Sequence, residues 1–412
     1  MRPDVIIGLS NGGLNIQPPS EFGTAVLIMA TPAAPTAGYG VAFEIKSIGQ
    51  AKAAFAAAGN ADVLKAIIEA FYGEAPEGTK LFVVCLAQVT TMTAMAAAAV
   101  AELGLNKAGG QARLVAICKQ PAAGYVPDVV EGFDGDVHTA TAAMQALANT
   151  WLGKKMPFRF FIQGFAYTGV PADVKDYKTT AFRNGHIVVG NVGGNNAAGS
   201  LFATLLALGR AARIQPQQNI GRIKSGSLNI NQTYMVRIGA TEADKVSDAD
   251  LNTLHEKRYI TFEKNKIASG FVFNDDNSTT VETDDYNNLR NGRVIDNAVR
   301  VAHATYYNEL KEDVEVDAGG RLAPVVEKAL ETQIETAIDQ QMRSQLSKNA
   351  ESSADVECLV NPDPFEFAAL YTKNGIDNPK FNVFDGGNVY LFISLRPKGC
   401  LKRINIFLGF VA

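Results

Sequence analysis

The sequence predicts a mixed α/β (α+β) protein with several domains: an α/β layer sandwich with extended β-strand arms at both termini. Three observations predict it. Short apolar runs, such as Leu81-Phe-Val-Val-Cys-Leu86 and Leu114-Val-Ala-Ile-Cys118, alternate with helical patterns along the first half of the chain. That alternation is the sign of parallel strands covered on both faces. Two long helical patterns follow, at 286–311 and 321–347. The last 24 residues then read as two strands, 389–395 and 403–411, separated by Arg396-Pro-Lys-Gly399.

Taken in order, residues 5–9 form a short apolar strand followed by the polar, proline-rich Asn15-Ile-Gln-Pro-Pro-Ser20, an arm that leaves the body. Residues 24–30 read as a core strand ended by Pro32 and Pro35. Helical patterns follow at 47–58 and 60–72, where Leu64, Ile67, Ile68 and Phe71 recur at helix spacing. Strand 81–86, an alanine-rich helix at 91–104, strand 114–118, helix 136–152, strands 158–162 and 186–190, and helix 200–212 continue the alternation. Residues 213–250 are less regular and richer in Gln, Asn and Ser, as a surface region would be. Strands are expected from Arg258 and at 271–273, and the acidic stretch 274–285 reads as a solvated loop. In the helix 321–347, Val326, Leu330, Ile334 and Ile338 form one apolar stripe, with Glu327, Glu331, Glu335 and Asp339 one position further on. Strand 356–360 and a loop with Pro362 and Pro364 lead to the terminal pair. There Ile404, Ile406, Leu408 and Phe410 alternate, the period of a strand with one buried face. A terminus is ordinarily frayed and polar unless something ties it down. An apolar strand at a free end completes its own sheet or adds to another subunit's.

The chain has 412 residues, room for about two or three domains of ordinary size. Hydrophobic residues make up 47% and charged residues 19%, with a net charge of −4. That describes a large core and a near-neutral surface, and it disfavours nucleic acid as a partner. The four cysteines are far apart and form no CxxC pair. Cys85 and Cys118 lie in apolar runs and read as buried thiols of a reducing compartment. The N-terminus does not read as a signal peptide, and no apolar run reaches membrane-spanning length.

Catalytic patterns are scarce. His138, His186, His255 and His303 are scattered, with no HExxH motif, and no GxSxG elbow occurs. No metal or cofactor is expected. One segment stands out: Val188-Val-Gly-Asn-Val-Gly-Gly-Asn-Asn-Ala-Ala-Gly199 follows a strand and opens a helix, where backbone amides can hold phosphate. It lacks the P-loop Lys and Ser/Thr, and a tight strand-to-helix connection explains it equally.

From about Arg258 onward the order of elements resembles that of contractile tail sheath proteins, the sheath of phage tails, tailocins and related injection systems. Four pieces carry the resemblance: Ile267-Ala-Ser-Gly-Phe-Val-Phe-Asn274; Tyr286-Asn-Asn-Leu-Arg-Asn-Gly-Arg-Val-Ile-Asp-Asn-Ala-Val-Arg300; the helix 321–347; and Gly387-Asn-Val-Tyr-Leu-Phe-Ile-Ser-Leu-Arg-Pro397 with Ile404-Asn-Ile-Phe-Leu408. The family often carries an aromatic and an Arg-Thr pair before the first long helix; here 274–285 is acidic and without Arg.

The resemblance implies a structural subunit, not an enzyme. Such a subunit polymerises into a helical tube of stacked, hexameric rings around an inner tube protein and contracts to drive that tube through a target envelope. Baseplate and tail-terminator proteins are the implied further partners. Assembly is expected in the bacterial cytoplasm, without membrane insertion, and the product is a virion tail or injection particle. The arms would add strands to neighbouring subunits through Val5, Ile6, Ile7 and Leu9 at one end and Ile404, Ile406, Leu408 and Phe410 at the other. The helix 321–347 is the expected inner-tube contact, through Glu327, Glu331, Glu335, Arg343 and Lys348 as exposed charges. The expected divisions are an N-terminal arm 1–22, part of a core α/β domain 23–110, an inserted outward-facing α/β domain 111–285, a C-terminal core 286–399 and a C-terminal strand arm 400–412. The alternative is an α/β enzyme binding a nucleotide or phosphate ligand at the turn 190–199.

Overall fold

Strands buried on both faces need helices above and below them, and the first half of the chain supplies both. The computed structural model describes residues 21–194, 196–385 and 388–402. They fall into two compact units. One holds the described residues up to Ala148 with Phe158–Gln215 and Ile220–Asn287; the other holds Asn149–Pro157, Pro216–Asn219 and the described residues from Asn288 on.

The first unit is built on one eight-stranded sheet. Its strands are β1 (Ala25–Thr31), β2 (Ala42–Ile45), β3 (Leu81–Ala87), β4 (Leu114–Lys119), β5 (Arg159–Gln163), β6 (Gly185–Val189), β7 (Ile260–Lys264) and β8 (Phe271–Phe273). They lie in the order β8-β7-β6-β5-β4-β1-β3-β2. Neighbours from β3 to β7 pair in parallel. The outermost strands, β2 and β8, pair antiparallel. The apolar runs of β1, β4, β5 and β6 are buried throughout, as strands covered on both faces must be.

Three helices pack here: α1 (Ala98–Lys107), α2 (Gly135–Gly153) and α3 (Ala197–Arg213). Close approach selects glycine at two of their contacts. A Cβ on Gly104 of α1 would meet Val26 at 2.5 Å, and one on Gly209 of α3 would meet the Phe71 carbonyl at 2.6 Å. Phe71 ends the π-helical stretch Ala66–Phe71, and the helix runs on to Glu74.

Beside that contact lies a buried ion pair. Arg210 Nε is 2.8 Å from Glu74 Oε2, and the two side chains are 1% and 0% exposed. Arg210 also donates to the carbonyls of Ser225, Gly226 and Ser227, while Glu74 Oε1 accepts from Asn229 N at 2.7 Å. Burying two charges is tolerable only when their remaining donors and acceptors are also used. Here those partners belong to the irregular stretch after α3, which the pair fastens to the helical layer. That stretch is therefore not purely a surface region: Ile220, Leu228, Val236 and Ile238 are buried, and a further helix, α4 (Asp248–Glu256), follows.

Two expectations need correction. The sheet does not divide at residue 110: β1 sits between β3 and β4, so segments 23–110 and 111–285 share one core. Sheet order depends on long-range pairing that local patterns do not encode. Nor is 274–285 a solvated loop throughout: Asp275 through Thr280 are buried, while Glu282, Thr283 and Asp285 are exposed. Thr279–Thr280 pairs antiparallel with Ala181–Phe182, Arg258 Nε donates to Ser278 O, and Asp275 Oδ2 lies 3.1 Å from His255 Nε2. Against this segment rests His186, fully buried, donating from Nδ1 to Asn277 O at 2.9 Å. Burial first, and then the charges of Arg159 and Arg258, push its imidazole down to about 3.

The second unit contains α5 (Leu289–Tyr306), α6 (Pro324–Met342), β9 (Val356–Val360) and β10 (Leu391–Leu395). Asn288 caps α5 by accepting from Asn291 N, and Pro324 opens α6, where no amide donor is needed. Val294, Ala298 and Val301 of α5, Ile334, Ile338 and Met342 of α6, and Cys358 and Val360 of β9 form its core.

Two outcomes follow. Arg210→Met leaves buried Glu74 with only the partly exposed Arg213, 3.7 Å away, and should lower unfolding free energy by about 3 kcal/mol. Adding Glu74→Leu should recover part of that loss, read by chemical denaturation. For His186, the unfolded imidazole takes a proton below about pH 6.5 while the folded one resists until about pH 3. The unfolded state binds more protons in that window, so stability present in full above pH 6.5 is lost as pH falls. Its contribution is at most about 1.4 kcal/mol per pH unit, and His186→Gln should flatten the dependence by that amount.

Candidate assembly interface

The expected arm residues Val5, Ile6, Ile7, Leu9, Ile404, Ile406, Leu408 and Phe410 lie outside the described residues. The described part of the C-terminal sheet is β9 paired antiparallel with β10, Val356 facing Leu395 and Val360 facing Leu391. Bonds just beyond its ends set its parity: Asn361 N donates to Tyr390 O, and Arg396 N donates to Asp355 O. Hydrogen-bonded pairs alternate along an antiparallel ladder. Odd-numbered residues of β9 therefore bond even-numbered residues of β10. The backbone groups of Cys358 and Val360 point away on one side, and those of Leu391, Ile393 and Leu395 point away on the other.

The two outer edges differ. On the β9 side, α6 lies alongside and its acidic stripe meets the strand. Glu335 Oε1 accepts from Cys358 N at 3.1 Å, and Glu331 Oε1 accepts from Val360 N at 3.1 Å. Above and below, Glu327 Oε1 accepts from Asn361 Nδ2 at 3.2 Å, and Asp339 Oδ1 accepts from Ala354 N at 2.6 Å. Of four carboxylates spaced four residues apart, Glu331 and Glu335 thus stand where a neighbouring strand's carbonyls would be, and Glu327 and Asp339 hold the groups just beyond the strand's ends. The two spacings match closely enough: four helical residues rise about 6.0 Å and two strand residues rise about 6.7 Å. Burial first, then the charges of Glu331 and Glu335, push the Cys358 thiol up to about 11. Arg343 holds the Asp339 carboxyl below its usual range, helped by the Ala354 amide. On the β10 side, among the described residues, no strand pairs with Leu391, Ile393 and Leu395.

The expected contact charges are thus not equivalent. Glu327, Glu331 and Glu335 are half-buried and engaged with β9 or Asn361, which corrects their reading as freely exposed groups. Arg343 is exposed and paired with Asp339, and Lys348 is exposed. The acids missed their assignment because they stand one position after the apolar stripe. That position is its flank, about 100° round the helix, and not the opposite face.

The glycine-rich turn has a packing explanation. A Cβ on Gly190 would meet the Phe262 ring at 2.5 Å, and one on Gly199 would meet the Gly194 carbonyl at 1.9 Å. Asn196 caps α3, its Oδ1 accepting from Gly199 N at 2.9 Å. In an open α/β sheet, ligands bind beyond the carboxyl ends of the strands where strand order reverses, here between β1 and β4. The polar groups near that point bond one another. Lys119 N donates to Gln163 Oε1, Lys119 Nζ lies 3.6 Å from Asp136 and over the Tyr125 ring, and Asp136 accepts from Met92 N and Thr93 N. Among the described residues no group of acids, histidines and cysteines could hold a metal, and no helix is long and apolar enough to cross a membrane.

The family model described as DUF2586, N-terminal domain, matches residues 2–277. No curated protein matches the sequence. Among solved structures, a chain of the anti-feeding prophage (AFP) helical sheath in the contracted state is similar over 99% of this chain and 98% of that one, with TM-score 0.62 and 14% identity. A chain of the 6-fold symmetrised AFP baseplate is similar over 100% and 99%, with TM-score 0.61 and 15% identity. A chain of the PVC sheath complex of an extracellular contractile injection system, also contracted, is similar over 99% and 97%, with TM-score 0.59 and 11% identity. At these identities the likeness is one of fold, and it runs through both units.

Removing one rung of the acidic ladder should be measurable. Glu335→Ala strands the Cys358 amide and should cost about 1–3 kcal/mol of unfolding free energy. Gln340→Ala, on the exposed face of the same helix, should stay within about 0.5 kcal/mol.

Proposed function

The chain belongs to the DUF2586 family, and from that premise and its fold we propose that it is a structural subunit of a contractile tail sheath. Subunits polymerise into a helical tube of stacked, hexameric rings around an inner tube. Contraction repacks their contacts and drives that tube through a target cell envelope. The observation that carries this reading is the likeness to the contracted AFP sheath chain across nearly the whole length of both chains. The likeness to a chain of the AFP baseplate supports a further contact with baseplate proteins at the end of the tube.

Linkage between subunits is by strand exchange: the arms that carry Val5, Ile6, Ile7, Leu9, Ile404, Ile406, Leu408 and Phe410 add to sheets of neighbouring copies. The β10 edge, open among the described residues, supports this. Backbone bonding of this kind keeps subunits joined while they rotate, and head-to-tail contacts that do not close give helices. Helix α6 and its continuation face the inner tube. Arg343 and Lys348 are the exposed members of that set, with Glu327, Glu331 and Glu335 on the flank. Assembly takes place in the bacterial cytoplasm and the product is a tail or injection particle, closed by a terminator protein. The subunit works without catalysis. No observation at the turn 190–199 favours the ligand-binding alternative.

Expressed alone, the full chain should form wide hollow tubes with a ribbed surface in negative-stain electron microscopy. Deleting residues 403–412 should leave a folded monomer by circular dichroism and gel filtration, with tubes gone. A full chain that stays monomeric, or a deletion that unfolds it, would count against the reading.

A further inference from the structure

A two-stranded ribbon has two edges at which a third strand can add. This one presents them unequally. Along β9 the outward amides of Cys358 and Val360 already donate to Glu335 and Glu331, and Ala354 N donates to Asp339. An incoming strand would find those donors occupied and α6 in the way. Along β10 the outward groups are those of Leu391, Ile393 and Leu395, and just beyond them Pro397 bridges Leu346.

We propose that the acidic ladder of α6 is an edge guard that makes the ribbon single-ended: residues 403–411 of a second copy add along Leu391–Leu395, and no strand adds along Val356–Val360. This rests on the strand-exchange reading above and gives it a side. The occupant fits. Ile404, Ile406, Leu408 and Phe410 alternate as do Leu391, Ile393 and Leu395, whose side chains pack on the core of the second unit. The chain's own segment is a poor occupant. After β10 the backbone is fastened to 345–347, with Ser347 N donating to Arg396 O and Lys398 N to Gln345 O.

The guard is carboxylate and not strand for a physical reason. A side chain that accepts a backbone N–H satisfies the edge without offering a donor edge of its own. A third strand in that place would satisfy β9 but present a new edge, and the ribbon could then grow from both sides. Growth from both sides would let assembly branch.

Residue-resolved amide exchange on the full chain tests this, in dilute monomer and in assembled tubes. In the monomer, Cys358 and Val360 should exchange slowly and Leu391, Ile393 and Leu395 quickly. On assembly the last three should slow and the first two stay unchanged. In Glu331→Ala/Glu335→Ala, Cys358 and Val360 should exchange about 10- to 100-fold faster in the monomer. That variant should then slow on assembly, as the second edge recruits a strand, and its tubes should give way to branched aggregates. Protection of Cys358 and Val360 that appears only on assembly of the unaltered chain would overturn the guard. Slow exchange at Leu391, Ile393 and Leu395 in the monomer would show the chain's own segment seated there and overturn the second-copy occupant. If those three never slow while the ladder amides stay protected in the monomer, strand exchange itself is wrong and the ladder is only a stabilising contact. The unaltered chain answers these three points even if the double variant does not fold.

Discussion

The constraint on which this structure turns is that a strand's outward N–H groups must be satisfied, or left open on purpose. The first unit meets it by ending its parallel sheet with an antiparallel strand at either side, β2 and β8, both short. The second unit meets it on one side only, and by different means. A helix places carboxylates at four-residue spacing along β9, so side chains do the work of a neighbouring strand. The opposite edge stays open among the described residues, so the two sides of this ribbon are chemically unlike.

The polar groups of the first unit are largely spent on one another. At the carboxyl ends of its parallel strands, where such folds hold ligands, the charged groups face one another. Lys119 is buried between Asp136 and an aromatic ring, and Asp136 is committed to the amides that open the next helical segment. Elsewhere, Glu74 and Arg210 combine charge neutralisation with the capture of three loop carbonyls and one loop amide. These polar clusters are closed on themselves, and closure of that kind fixes the geometry of the surrounding loops.

Much of this was legible in the sequence because burial on two faces leaves a local mark. The runs Leu81-Phe-Val-Val-Cys-Leu86 and Leu114-Val-Ala-Ile-Cys118 became β3 and β4, and the stripe Val326, Leu330, Ile334, Ile338 became the buried side of α6. Strand order left no such mark, so a division at residue 110 was expected where the sheet is continuous. Strand β2 was missed because Ala42-Phe-Glu-Ile45 is too short to show a period. The stretch 274–285 was misread because composition reports polarity and not whether partners are at hand. Asp275, Asp276, Thr279 and Thr280 are buried among other polar groups, and only the end of the stretch is exposed. In the candidate interface, the stripe of acids was visible but its use was not. Periodicity gives the angle of a side chain round its own helix and says nothing of which element lies beside it.

The ribbon also has a mechanical side. Strands that lie antiparallel and are pulled along their axes in opposite directions load all their rungs at once. The same rungs opened from one end fail one after another. β9 and β10 share a register five residues long, from Val356 facing Leu395 to Val360 facing Leu391. A strand seated on the other edge of Leu391–Leu395 and tugged lengthwise would likewise load all its own rungs to that strand at once. Peeled sideways, it would come away rung by rung. Such a joint would be strong along one direction and yielding across it.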